Sequence, residues 1–178
     1  AECKNSQGGD CNEGDVFDGG AVDVSGVEVS ASWILEGDNG VSYPVGLTYT
    51  STDATFANSF DDDGEYWGVV ADGDDVPYVP DSSLALVAGF VNSNGLSGNM
   101  RYVSNGSSCS TAECGTYQTI DSHSFLDLNL RKALNQNMDV YLVVENVLDS
   151  EDIVARAPKD GARSQKPRTM KVGFSYNF

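Results

Sequence analysis

Apolar side chains return at every second position along most of the chain, while the spacing of three and four that marks an amphipathic helix is nearly absent. Seven alternating runs follow one another. The first, about Ala21 to Leu35, carries Val22 and Val24 on one phase and Val27, Val29, Ala31, Trp33 and Leu35 on the other. This change of phase at Gly26 predicts a β-bulge that would return both sets to one face. The second run is Val41, Tyr43, Val45, Leu47 and Tyr49, in which Pro44 predicts a strand start or a bulge. Further runs are Leu84 to Phe90, Leu96 to Val103, Ser122 to Arg131 and Met138 to Val144. The last sets Met170, Val172, Phe174, Tyr176 and Phe178 against Thr169, Lys171, Gly173, Ser175 and Asn177. The predicted fold class is all-β and antiparallel.

The connections alternate in length. Turns of about four to six residues follow the first, third and fifth runs, and loops of about seventeen to thirty residues follow the second, fourth and sixth. Antiparallel neighbours place successive connections at opposite ends, so all the long loops fall on one side and all the short turns on the other. A secreted sandwich shares the alternation but has no need of this asymmetry. A transmembrane barrel has both, with short periplasmic turns, long external loops and strands apolar outside and polar inside. No apolar run approaches the roughly 20 residues of a spanning helix, which excludes helical spans and leaves a barrel open. Aromatics near strand ends (Trp33, Tyr43, Tyr102, Tyr176, Phe178) suit interfacial girdles. Seven is an odd number, whereas single-chain bacterial barrels have an even one, so these strands are not expected to close by themselves.

Charge adds location to this picture. The net charge is −17, from 27 acids against 10 bases, which argues against nucleic acid as a partner. From Asn5 to Met100 there are 17 acids and no base, while Arg101 to Phe178 holds nine of each. Four cysteines form two close pairs, Cys3/Cys11 and Cys109/Cys114, in polar stretches. The spacings predict disulfides Cys3–Cys11 and Cys109–Cys114 in an oxidising compartment; a zinc site would need all four to converge. The opening Ala1-Glu2-Cys3-Lys4 has neither an initiator Met nor the plan of a signal peptide, which predicts a processed chain or a piece of a longer one.

Several short motifs then stand in a telling order. Gly26-Val27-Glu28, Leu47-Thr48-Tyr49-Thr50 with Phe56, and Val76-Pro77-Tyr78-Val79-Pro80 precede Asn146-Val147-Leu148-Asp149, Arg156-Ala157-Pro158, Gly161-Ala162-Arg163 and Lys166-Pro167-Arg168. With the closing Phe174-Ser175-Tyr176-Asn177-Phe178, this series resembles the C-terminal part of the barrel of TonB-dependent outer-membrane receptors. The Gly-Ala-Arg and Lys-Pro-Arg spacing is most similar to the ferric siderophore and ferric citrate branch. The resemblance implies that residues 1–178 are about seven strands of a 22-stranded, plugged barrel, without its N-terminal plug domain and TonB box. It implies uptake of a ferric chelate, energised by TonB through the missing region, in the bacterial outer membrane, among its lipid and lipopolysaccharide. The alternatives are cobalamin or a saccharide as ligand, or a self-contained small barrel with an adhesive or structural role.

An anionic chelate would need cations, preferably arginine forks. The candidates are Arg156 and Arg163 in the third long loop and Arg101 on the polar phase of its strand; Arg131, beside a turn, is expected in a local ion pair. Phe174, Tyr176 and Phe178 resemble the signal read by the barrel assembly machinery and also suit a girdle. The acidic loop from Asp61 to Asp75 lacks EF-hand spacing and reads as solvated, with divalent ions as an alternative. His123 lies beside Asp121 and Ser122, but neighbouring strand residues cannot form a triad and no nucleophile elbow is present. Neither catalysis nor a resident metal or other cofactor is expected.

Overall fold

The computed structural model describes residues 20–61, 67, 69–156 and 161–178. Seven long strands are β1 (Val22–Glu36), β2 (Val41–Phe56), β3 (Ser82–Asn92), β4 (Leu96–Asn105), β5 (His123–Ala133), β6 (Met138–Glu145) and β7 (Thr169–Tyr176). They form one antiparallel sheet in chain order, an up-and-down meander with β1 and β7 as its two edges. Around the expected runs the main difference is β2, which continues through Phe56 into what the alternation alone reads as loop. The extension is held on one side by β1, where Val22 pairs with Phe56. On the other side it is held by the loop itself, since Phe56 N–H donates to the Asp74 carbonyl and Val76 N–H to the Ala54 carbonyl, each at 2.9 Å.

Two local expectations are corrected. Gly26 forms no bulge: it lies opposite Thr52 in a register that runs unbroken from Val22 to Glu36. Glycine is needed there because a Cβ would come within 2.4 Å of the Ser51 carbonyl oxygen. The phase changes because the surroundings change. Val22 and Val24 face the same way as their partners Phe56 and Ala54, which are buried beneath the first long loop. Pro44 is neither a strand start nor a bulge. It sits inside β2 opposite Ile34, and the pairing of β2 with β3 lapses at Tyr43 and Pro44, then resumes in the same register. A proline has no N–H to offer β3, and Gly89 on that strand leaves room for the ring, 3.3 Å from where its Cβ would be.

The register aligns the apolar phases across the whole sheet. One face carries rows such as Trp33, Val45, Ala88, Met100, Leu128, Val144 and Met170. Protein does not cover it: Met170, Val172 and Phe174 are 66%, 80% and 75% exposed. Its charged residues lie at the two ends: Asp23 and Asp53 towards the long loops, and Lys132 near the short turns, whose ammonium reaches the Asn94 carbonyl at 2.7 Å. The opposite face is polar near the long loops. Towards the short turns it also exposes Ile34, Val91 and Tyr141, so the polar phase is less uniform than alternation suggests. Tyr141 lies across Gly173, where a Cβ would meet its hydroxyl at 2.3 Å.

The segments 57–81, 106–122 and 146–168 all lie at one end, and each folds into a small two-stranded ribbon. The pairs are Phe60–Asp61 with Val69–Val70, Ser108–Cys109 with Thr119–Ile120, and Ile153–Arg156 with Ala162–Ser164. The buried apolar core is here rather than within the sheet. Phe56, Val70 and Ala112 pack with Phe60 and Val76. Phe56 meets the rings of Phe60 and Trp67 at 5.4 Å each.

Candidate ligand-facing site

The three long loops, called first, second and third in chain order, meet above the polar face. Ala112 of the second loop enters the core under the first, and its N–H donates to the Trp67 carbonyl at 3.2 Å. Cys109 and Cys114 are joined as a disulfide with Cα atoms 5.3 Å apart, which closes the second loop on itself. Cys3 and Cys11 lie outside the described residues. The first loop is acidic, with eight Asp and Glu and no base between Ala57 and Asp81. Of these acids, Asp62, Asp63 and Glu65 lie outside the described residues. Asp74 is spent on the turn, accepting from Ala71 N–H at 2.8 Å, beside Gly73 at φ 91°. No group of three or more potential metal ligands occurs among the described residues.

Where the first and second loops meet there is a cavity of about 330 Å³. Its wall includes the carboxylates of Asp53, Asp75 and Asp81 and the hydroxyls of Ser107, Ser108 and Thr119, and no Lys or Arg. Such a wall repels an anion.

The third loop is mixed in sign: residues 146–168 hold five bases and four acids, and the bases gather in its second half, where Arg156 to Arg168 has five against the single acid Asp160. Asn146 anchors its base: buried to 3% exposure, it adopts φ 50° and donates from Nδ2 to the carbonyls of Ser150 and Lys166, each at 2.9 Å. Its Oδ1 accepts from Ser150 N–H at 3.1 Å, and its own N–H donates to Asp127 Oδ1 at 3.0 Å. Glu145 receives two ammonium groups, from Lys166 and, at 3.0 Å, from Lys171. Arg168 pairs with Asp149 at 3.2 Å.

The predicted arginines do not converge. In the third-loop ribbon Arg156 lies opposite Ala162 and Arg163 opposite Ala155, so the two side chains leave from opposite faces. Arg156 is half-buried and donates from Nε to the Thr119 carbonyl of the second loop at 2.8 Å. Arg163 is exposed. Arg101 stands near the middle of β4 on the polar face, exposed, with its guanidinium 6.0 Å from the Phe125 ring centroid. That distance is at the limit of a cation–π contact. Arg131 closes on Asp139 at 2.6 Å across the turn between β5 and β6, the local pair expected of it. His123 is held by Asn105 at 3.3 Å and the Asp121 carbonyl at 3.2 Å. At the end of the chain the Phe178 ring meets Tyr176 edge-on at 5.2 Å.

Sequence reasoning passed over Tyr78, whose hydroxyl donates to the Arg156 carbonyl at 2.8 Å. Its signal was its place between Pro77 and Pro80. Asn146 and Asp127 were likewise not singled out as a joint, although Asn146 opens the Asn-Val-Leu-Asp motif.

The model of the family described as TonB dependent receptor-like, beta-barrel matches residues 5–147. The chain belongs to this family. Solved structures of similar fold include the siderophore receptor PiuA from Acinetobacter baumannii, with TM-score 0.69 at 16% identity over 87% of this chain and 22% of that one. Another is the ferric-catecholate import receptor Fiu from E. coli K12 in its closed form, with TM-score 0.67 at 21% identity over 99% of this chain and 23% of that one. The open form of Fiu gives 0.51 at 17% identity over 88% and 26%. No curated protein sequence matches. The chain therefore spans about a quarter of the length of these receptors, and at such identities the likeness is one of fold. As part of a TonB-dependent receptor barrel, the sheet turns its apolar face to lipid and its polar face to the lumen, with short turns periplasmic and long loops external. The family and these neighbours are receptors of the outer membrane rather than enzymes.

Proposed function

We propose that this chain supplies part of the barrel wall and three external loops of an outer-membrane receptor for an anionic ferric chelate of siderophore or citrate type. The observation that carries the reading is the division of charge at the mouth. The basic stretch Arg156 to Arg168 stands in the second half of the third loop, the acidic stretch in the first loop, and Arg101 lies exposed on the lumenal face below them. An anion approaching this mouth is steered towards the third loop and away from the first. Arg163 is free to meet it outside, and Arg101 within, while Arg156 offers its terminal nitrogens from a tethered position. PiuA and Fiu, which share the fold, bear names of siderophore and ferric-catecholate receptors. In this reading the complete protein has a 22-stranded barrel and a plug domain, is energised by TonB, and sits among lipid and lipopolysaccharide.

The test is uptake of radioactive iron chelates by iron-starved cells carrying the full-length gene. Deleting the gene should abolish uptake of at least one ferric chelate; uptake and growth unchanged by the deletion would remove the ligand assignment. A saccharide or cobalamin is the second reading, favoured by the cavity of carboxylates and hydroxyls that holds no base. Uptake of a neutral sugar or of cobalamin, lost with the gene while ferric chelates still enter, would select it.

The final strand also serves assembly in this reading. Phe174 and Tyr176 project from an edge strand on the lipid face, with Phe178 two residues beyond its end, where strand addition by the assembly machinery can reach them. Removing Phe178 from the full-length protein should lower the amount folded in the outer membrane, measured by heat-modifiable migration; an undiminished amount would leave the rings as a girdle alone.

A further inference from the structure

Tyr78 joins all three external loops, and it does so in a costly backbone state. Its φ is 61°, a left-handed conformation that costs a non-glycine residue on the order of 1–3 kcal/mol unless its surroundings impose it. It stands third in the turn Val76-Pro77-Tyr78-Val79, which Val79 N–H closes on the Val76 carbonyl at 3.4 Å, and from that turn it reaches both other loops. Tyr78 N–H donates to the Cys109 carbonyl of the second loop at 2.7 Å. Its hydroxyl donates to the Arg156 carbonyl of the third loop at 2.8 Å, and Arg156 Nε donates to the Thr119 carbonyl, again in the second loop, at 2.8 Å. These bonds close a ring through the three loops. The first and second loops are also held together without it, by Ala112 buried beside Phe56 and Val70. The third-loop ribbon has no member in that core and instead lies with Ile153–Arg156 against Thr119–Ile120 of the second loop.

We infer that Tyr78 and Arg156 form a latch: together they clamp the ribbon of Ile153–Arg156 and Ala162–Ser164 onto a body made of the first two loops, and their release loosens that ribbon while the body stays shut. The half that moves is the one that carries the bases, so the latch would govern when the basic ribbon is presented at the mouth. The inference stands on the three bonds and is independent of which ligand the receptor takes.

Hydrogen exchange on the full-length receptor in detergent tests it, comparing the parent with Tyr78→Phe, which removes only the hydroxyl, and Arg156→Lys, which keeps the charge but removes the Nε bond. Amides of Ile153–Arg156 and Ala162–Ser164 should exchange about three- to tenfold faster in each variant, the range expected for loss of one hydrogen bond. The amides of Val70 and Ala112 should keep their rates. Unchanged exchange in the ribbon in both variants would overturn the latch, and so would an equal acceleration that reaches Val70 and Ala112.

Discussion

The first and third external loops do the same topological work and are built by opposite means. The first packs Phe56, Phe60, Val70 and Val76 into a core with Ala112 of the second loop. Among its described acids, Asp72 and Asp74 stand at a turn and Asp75 and Asp81 on the cavity wall. Among the described residues the third contributes none to that core, and polar links hold its base: Asn146, Glu145 between Lys166 and Lys171, and Asp149 with Arg168. Apolar burial is indifferent to salt and hard to open locally, whereas exposed ion pairs are screened and individually weak. The first loop is therefore the stiff half of the mouth, and the third the responsive half.

That contrast can be broken from either side. The largest effect is expected from Phe56→Ala, since Phe56 is only 1% exposed and such a truncation costs about 3–5 kcal/mol. Protection should be lost in the first and second loops together, read by hydrogen exchange, with the third-loop ribbon little affected. Loosening confined to the first loop would show that Ala112 does not couple the two. Next comes Asn146→Ala, which strands the Ser150 and Lys166 groups at about 1–3 kcal/mol and puts alanine in a left-handed state at about 1–2 kcal/mol more. The Ser150 amide should lose its protection while Val70 keeps its own. The smallest effect belongs to Glu145→Gln. It should make opening of the third loop less dependent on salt without altering membrane assembly, and an unchanged salt dependence would mean that the Lys166 and Lys171 pairs contribute nothing.

The sheet was legible in the sequence because alternation reports directly which side chains face lipid, and the register then follows from matching seven apolar phases. Trp33, Val45, Ala88 and Met100 fall into one row for that reason. The exceptions arose where a residue answers to something other than the bilayer. Val22 and Val24 share the face of Phe56 and Ala54 at the loop end of the sheet and are themselves exposed, so the phase change at Gly26 looked like a bulge. Pro44 fits inside β2 because Gly89 stands opposite, a pairing visible only once the register is known. The site was less legible than the sheet. Arg156 and Arg163 are close in sequence, yet a ribbon with the register Ala155 to Arg163 sends them to opposite faces. Tyr78 acts through backbone carbonyls of Cys109 and Arg156, and a carbonyl leaves no mark on residue identity. Length asymmetry placed the long loops together but could not foretell that each would fold a ribbon of its own.

The central claim is that the mouth sorts ligands by charge, and paired substitutions test it most directly. Uptake of a ferric chelate by cells expressing the full-length receptor should be measured with Arg101→Ala and Arg163→Ala against Asp75→Asn and Asp81→Asn, at low and physiological salt. The arginine variants should need roughly tenfold more ligand for half-maximal uptake, in line with loss of a charge-assisted contact, while the aspartate variants match or exceed the parent. Uptake that survives both arginine changes and falls with the aspartates would contradict the claim and move the ligand to the acidic cavity.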